Sequence, residues 1–299
     1  MLTTSFTNGK YFSISYLITV ICVIFSFFGP EFYQNVIAAG GILSFGILHG
    51  ANDLKIIRKS RAKLKSTNPL NYLVLYIGVV LLGILIFYFI PGIALLAFVL
   101  VSCYHFGEQH WEGRLKFQKW SALYYFTYGA FIFLVLFAFQ YQETAQVIYH
   151  ISSLHLPFSF FSLSLILTSL ALLIQLFIQL DSRVTIVKEL ILLGLLALLF
   201  FKGTLLFGFG LYFVVWHSFP SLRSQIHYIY DTFDRSSFRN YIISALFYWV
   251  LALVGLFGTY FFLDISTGQY LSIFFSFLAA ITFPHALVME RMFSIPAVE

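Results

Sequence analysis

The sequence predicts an all-α integral membrane protein, a polytopic bundle of about ten transmembrane helices. Three observations predict it. Hydrophobic residues fill 60% of the 299 positions and charged residues only 10%, against roughly 25% charged in soluble domains. Apolar runs of about 20 residues, the length that crosses a bilayer core, recur from end to end. Basic residues fall between those runs in an alternating pattern. Backbone surrounded by lipid must satisfy its own hydrogen bonds, so the runs read as helices rather than strands. With 38 Phe and a mean hydropathy of +0.90, residues 1–299 read as a single transmembrane domain. No separate soluble domain is expected, because the longest polar stretch, 55–71, is too short for a core of its own.

Apolar windows place the helices at 11–28, 35–52, 70–90, 92–110, 121–139, 157–179, 186–201, 204–219, 240–262 and 270–289. The first follows Lys10 and lacks a small-residue cleavage pattern, so it reads as a retained span rather than a signal peptide. In the second, Gly46 and Gly50 form a small-xxx-small pair suited to close helix approach. Thr67 or Asn68 is the expected cap of the third. Pro91-Gly92 separates the third from the fourth. Lys202-Gly203 makes the weakest division, between the seventh and eighth, and Pro220 is expected to end the eighth.

With the N-terminus inside, 16 of the 17 basic residues lie on the inner side and only Lys202 lies outside. A wrong helix count would scramble that division, so the chain is placed in the cell (inner) membrane with both termini cytoplasmic. The run from Lys55 to Lys65 could suggest RNA or acidic-lipid binding but reads more simply as an inside loop. No nucleic acid partner is expected from it. Trp111, Trp120, Trp216, Tyr124, Tyr125 and Tyr228 fall near the inner boundary and read as interface anchors. Cys22 and Cys103 read as buried small hydrophobes.

Four of the eight histidines stand near the inner ends of four different spans: His49 in the second, His105 in the fourth, His217 in the eighth and His285 in the tenth. Ionisable groups within spans are costly and face the bundle interior. Four imidazoles at matching depth therefore point to a shared metal. Asp53 follows His49 by four residues and Glu108 follows His105 by three, each on its histidine's helical face. Carboxylates so placed orient ligand imidazoles through the second ring nitrogen; the alternative is a salt bridge to a nearby Arg or Lys. Neither acid easily reaches an imidazole one turn away on its own helix, so each is expected to reach a histidine on a neighbouring one.

Nitrogen donors fit iron, copper or zinc, and the His-Glu-x-x-His of zinc hydrolases is absent. Fe(2+) with an open position could activate dioxygen for an apolar substrate arriving through lipid. His150 and His155, in the outside connection 140–156, read as surface residues. His110 and His227 are weaker candidates for metal or substrate contact. Two other function classes compete. A transporter with a histidine relay would want polar groups along both sides of a path, and a haem-binding electron-transfer protein would use two of the histidines.

At four motifs the sequence resembles the Brp/Blh family of membrane β-carotene 15,15′-dioxygenases. They are His49-Gly-Ala-Asn-Asp53, Tyr104-His-Phe-Gly-Glu108, Trp216-His-Ser218 and Pro284-His285. Length and hydropathy profile agree, so the resemblance covers essentially the whole chain. It implies non-haem iron bound by His49, His105, His217 and His285, with Asp53 and Glu108 supporting them. It also implies dioxygen as cosubstrate and cleavage of the central double bond of β-carotene into two retinal molecules. A microbial rhodopsin is the partner it implies for the retinal. Relatives carry a second histidine four residues after the one of the third motif, where this chain has Ser221. His285 is therefore expected to complete the set, with His227 in reserve. Tyr104, Phe106, Trp216 and Phe283 flank the motifs and are the candidates for shaping a polyene tunnel.

Overall fold

A computed structural model describes residues 9–62, 69–180, 182–262 and 269–294, and every regular element among them is helical. Lys63, Lys65 and the cap candidates Thr67 and Asn68 lie outside the described residues. The chain begins with α1 (Gly9–Phe28) and α2 (Glu31–Gly41), and α2 continues as a π-helical segment, Ile42–Gly46. A turn over 49–52 leads into α3 (Asp53–Ala62). Next come α4 (Pro69–Phe89) and α5 (Pro91–Trp111), where Pro91 takes the first helical position that its missing N–H suits. They are followed by α6 (Ser121–Phe139), α7 (Tyr141–Ser152), α8 (Phe158–Gln179) and α9 (Arg183–Lys202). A nearly continuous rod comprises α10 (Leu205–Leu211), a second π segment (Tyr212–Ser218) and α11 (Phe219–Tyr230). The chain closes with α12 (Arg235–Phe262) and α13 (Tyr270–Ser294).

Among the described residues, seven helical stretches are long and apolar enough to cross a membrane: Pro91–Trp111, Gln118–Phe139, Phe158–Gln179, Arg183–Lys202, Leu205–Tyr230, Arg235–Phe261 and Tyr270–Glu290. Within α1 and α4, at the first and third expected spans, residues 13–28 and 74–89 are apolar helix as well. The second expected span, 35–52, is not one straight helix, because the π segment and the turn at 49–52 interrupt it.

The Leu205–Tyr230 rod is the axis of the bundle, with 94% of its apolar window buried, whereas α12 lies at the edge with 11% buried. Pro220 does not end this rod, contrary to the sequence expectation. It sits in the first turn of α11, directly after the π segment. The wide i→i+5 turns there absorb the donor and the space that proline removes from an α-helix.

At the Lys202-Gly203 break, freed backbone groups find side chains. Gln140 Nε2 donates to the carbonyls of Phe200 and Gly203, both at 2.7 Å. Gln34 Oε1 accepts from the Thr204 N–H at 3.2 Å, and Glu143 Oε2 accepts from Leu205 N–H at 3.1 Å. An unsatisfied backbone group in hydrocarbon would cost several kcal/mol, so this polar cluster permits the chain to break and restart there. The tightest helix crossing joins α5 to α6. A Cβ on Gly107 would overlap the Tyr125 backbone, and one on Gly129 would overlap that of Cys103. Only glycine admits that approach.

The expected aromatic anchors mostly lie inside. Trp111, Trp216, Tyr124, Tyr125 and Tyr228 are buried, and Trp120 alone of the six is exposed. Trp216 donates to Thr19 Oγ1 at 2.9 Å and packs edge-on against Tyr16. Tyr125 likewise donates to Glu112 Oε2 at 2.6 Å, and an indole or phenol with such a partner inside the bundle has no need of the interface. Cys103 is buried and Cys22 partly so, and both are free.

Candidate metal centre

His49 opens the turn that follows α2 and its π segment, three residues past Gly46, and His217 lies within the second π segment. The two π segments pack together. A Cβ on Gly46 would come within 2.6 Å of the Phe213 ring, and one on Gly41 within 3.3 Å of Val214. Such wide turns rotate a helix register, and they often mark functional sites. Here they bring His49 and His217 face to edge, with ring centroids 5.2 Å apart. His285 on α13 stands 4.6 Å from His49, and His105 on α5 stands 4.9 Å from His217 and 5.4 Å from His285. The four rings close a cycle, each nearly perpendicular to the next, at 78° to 88°.

All four imidazoles are buried, at 1% to 5% exposure. His49 Nδ1 donates to the Gly46 carbonyl, and His285 Nδ1 donates to Asp53 Oδ1 at 2.9 Å. Those bonds fix the tautomers and leave the Nε2 lone pairs of both rings unused. His49 Nε2, His285 Nε2, His217 Nδ1 and both nitrogens of His105 are buried with no hydrogen-bond partner. An unsatisfied buried polar atom costs about 1–3 kcal/mol, so a cluster of them invites a ligand that accepts lone pairs. One nitrogen each from His49, His217 and His285 lies within 4.8 Å of the others. Nitrogens bound at about 2.1 Å to one ion stand up to about 4.2 Å apart, so this spacing is on the scale that one shared ion requires.

Both expected carboxylates are here, in different geometries. Asp53 does not share a helix with His49, because the turn at 49–52 intervenes and Asp53 opens α3. It instead reaches across to His285 on α13, and Tyr76 donates to its second oxygen at 3.1 Å. Glu108 does not reach across. It stays beside His105 of its own helix, Nδ1 to Oε2 3.9 Å, too long for a hydrogen bond, and accepts from Tyr104 at 3.2 Å. Asp53 and Glu108 are 2% and 5% exposed, and among the described residues histidines rather than Arg or Lys form their ion pairs. Buried carboxylates without a strong cation partner fit a site designed around a metal's positive charge.

An apolar cavity of about 240 Å³ adjoins the four rings. Of the four aromatics expected to shape a tunnel, Phe106 lines it, and its ring stacks on His217 at 4.1 Å. Tyr104, Trp216 and Phe283 are not among its lining residues. Adjacency in sequence rotates a side chain by about 100° around a helix, which turns Trp216 toward Thr19 and Tyr104 toward Tyr125 and Glu108. The lining residues missed from the sequence include Phe213, four before His217, Ile281, four before His285, and Tyr76. For the first two the signal is the one-turn spacing on the histidine's own face.

The remaining histidines stand elsewhere. His227 is half-buried on α11, away from the cavity lining. His110 forms an ion pair of 3.5 Å with buried Glu189, which also accepts from Tyr128. His150 and His155 are exposed, and His155 stacks on Tyr149.

Comparison with known proteins gives a family match over residues 40–293, to the model described as beta-carotene 15,15′-dioxygenase. No curated protein and no solved structure matches the chain. The matched segment covers most of the sequence and contains all four clustered histidines and both carboxylates. The chain belongs to the beta-carotene 15,15′-dioxygenase family.

Proposed function

We propose that the protein cleaves the central 15,15′ double bond of β-carotene with dioxygen and gives two molecules of retinal. The observation that carries this reading is the buried cluster of four histidine rings, in which nitrogens of His49, His217 and His285 converge beside an apolar cavity with His105 next to them. His49, His105, His217 and His285 would hold one Fe(2+). The reaction balances without further reactants: the alkene C=C and the O–O bond break, two C=O bonds form, and no net proton or electron is exchanged. When bound, the iron supplies the redox chemistry that lets dioxygen react with an alkene.

The chain's own residues supply position. Asp53 holds His285 in one tautomer and is itself held by Tyr76. The Gly46 carbonyl does the same for His49. Phe106 and Phe213 lie nearly parallel to the His217 ring, at 9° and 15°, and keep water from that side. The reading extends to an inner-membrane location with both termini cytoplasmic and a rhodopsin as acceptor of the retinal.

Expression in a host that accumulates β-carotene is the test. Retinal should replace the carotene; longer apocarotenals, or unchanged carotene with iron bound, would refute central cleavage.

A further inference from the structure

The cavity beside the four histidines has two unlike walls. The inner wall comes from the central rod and α5, through Phe213, His217, Phe106 and His105, all buried. The outer wall comes from α12, through Tyr248, Leu251, Ala252 and Gly255. Tyr248 and Leu251 are 39% and 57% exposed, and Gly255 is exposed as well. On this side the cavity lies at the exposed edge of the bundle.

The reason lies in how α12 is attached. Its inner half is pinned to the histidine-bearing segment. Tyr241 Oη donates to the His49 carbonyl at 3.0 Å, Asn52 Nδ2 donates to the Tyr241 carbonyl at 3.0 Å, and Trp249 Nε1 donates to the Leu43 carbonyl at 2.7 Å. Past Trp249 the cavity-facing residues include two small ones, Ala252 and Gly255, beside Leu251, and α13 faces them with Phe277 and Ile281. A Cβ on Gly255 would meet only the Phe277 ring, at 3.8 Å, so the glycine leaves open space rather than enabling helix contact. Tyr248 to Gly255 is two helical turns, a slot about 10 Å long in the membrane interior.

The volume adds a constraint. Pockets that enclose a drug-sized ligand measure about 300–1,000 Å³, and this cavity measures about 240 Å³. A polyene that yields two retinal molecules is too large to be enclosed. We infer that the seam between α12 and α13 at Gly255 and Ala252 is a lateral mouth. A linear polyene slides through it from the lipid, lodging one arm in the cavity and leaving the other in the bilayer. This rests on the polyene-cleaving reading above and names the entry route and the residues that gate it. An apolar substrate that never leaves lipid avoids the cost of crossing water.

The test uses the full chain in β-carotene-loaded vesicles, with polyene retention and retinal formation both measured. Gly255→Leu and Ala252→Leu should lower kcat/KM by roughly tenfold or more, mainly through KM. They should also reduce carotene retained by the iron-depleted protein and leave iron content at the native level. Gly258→Leu, on the same helix with nothing within 4 Å of its Cβ position and outside the cavity lining, should match the native chain. A native chain that cleaves carotene, with Gly255→Leu and Ala252→Leu equally efficient, overturns the mouth alone. If the native chain retains carotene without cleaving it and the two leucine variants retain none, the mouth stands and the cleavage reading falls. A native chain that neither retains nor cleaves a polyene overturns both.

Discussion

Replacing Asp53 by asparagine changes one charge and almost no volume, which isolates what the carboxylate does for His285. In the native chain Asp53 Oδ1 accepts from His285 Nδ1 at 2.9 Å and Oδ2 accepts from Tyr76 at 3.1 Å. The amide oxygen of the substituted side chain can still accept from the imidazole, and its NH₂ can donate to the Tyr76 oxygen, so the ring stays oriented. The loss is electrostatic: a buried anion, 2% exposed, no longer makes His285 a stronger donor or offsets the metal's charge. Removing such a partner weakens metal binding about 10- to 100-fold, equivalent to about 1.4–2.7 kcal/mol. The upper half of that range is expected, because Asp53 and His285 are almost wholly desolvated. Glu108→Gln should cost less, because its nearest imidazole nitrogen is 3.9 Å away. Competition against a graded chelator measures iron affinity, and the thermal transition of the metal-free protein checks folding. Native-like affinity in the Asp53→Asn protein, within about twofold, would refute the argument that Asp53 tunes a ligand.

Alanine at His49, His105, His217 or His285 should abolish retinal formation and lower iron content, whereas alanine at His227, His150 or His155 should leave both intact. Retained iron in the His285→Ala protein alongside loss in His227→Ala would reverse the assignment. Gly107→Ala should destabilise the protein by about 2 kcal/mol or more, because its Cβ meets the Tyr125 backbone, which cannot step aside. Gly78→Ala, whose Cβ meets nothing within 4 Å, should be neutral, and thermal unfolding distinguishes the pair. Reporter fusions after Lys65 and after Glu143 should report opposite sides of the membrane; matching sides would refute the topology drawn from the basic residues.

Hydropathy made the helices legible because lipid imposes both their length and their internal hydrogen bonding. The expected boundaries at 121–139 and 157–179 nearly coincide with α6 and α8. The four histidines stood out because an ionisable group in a span is costly unless it serves a purpose. Features that depend on departures from 3.6 residues per turn were hidden. The π segments at Ile42–Gly46 and Tyr212–Ser218 leave no mark in composition, yet they let the rod run through Pro220 and set the register of His217. The turn at 49–52 separates His49 from Asp53, so four-residue spacing did not report a shared face. Trp216 and Tyr104 were drawn to the site by sequence adjacency, but helical rotation turns them elsewhere. The Glu189–His110 pair was invisible because its partners lie on different helices, 79 positions apart.

The central claim is a single iron ion held by four imidazoles. Metal analysis and X-ray absorption on protein purified without oxygen test it most directly. The account predicts one iron per chain, with about four nitrogen donors near 2.1 Å and multiple-scattering features of imidazole. Protein that cleaves β-carotene with no bound iron, or iron whose neighbours are mainly oxygen or sulfur, would contradict it.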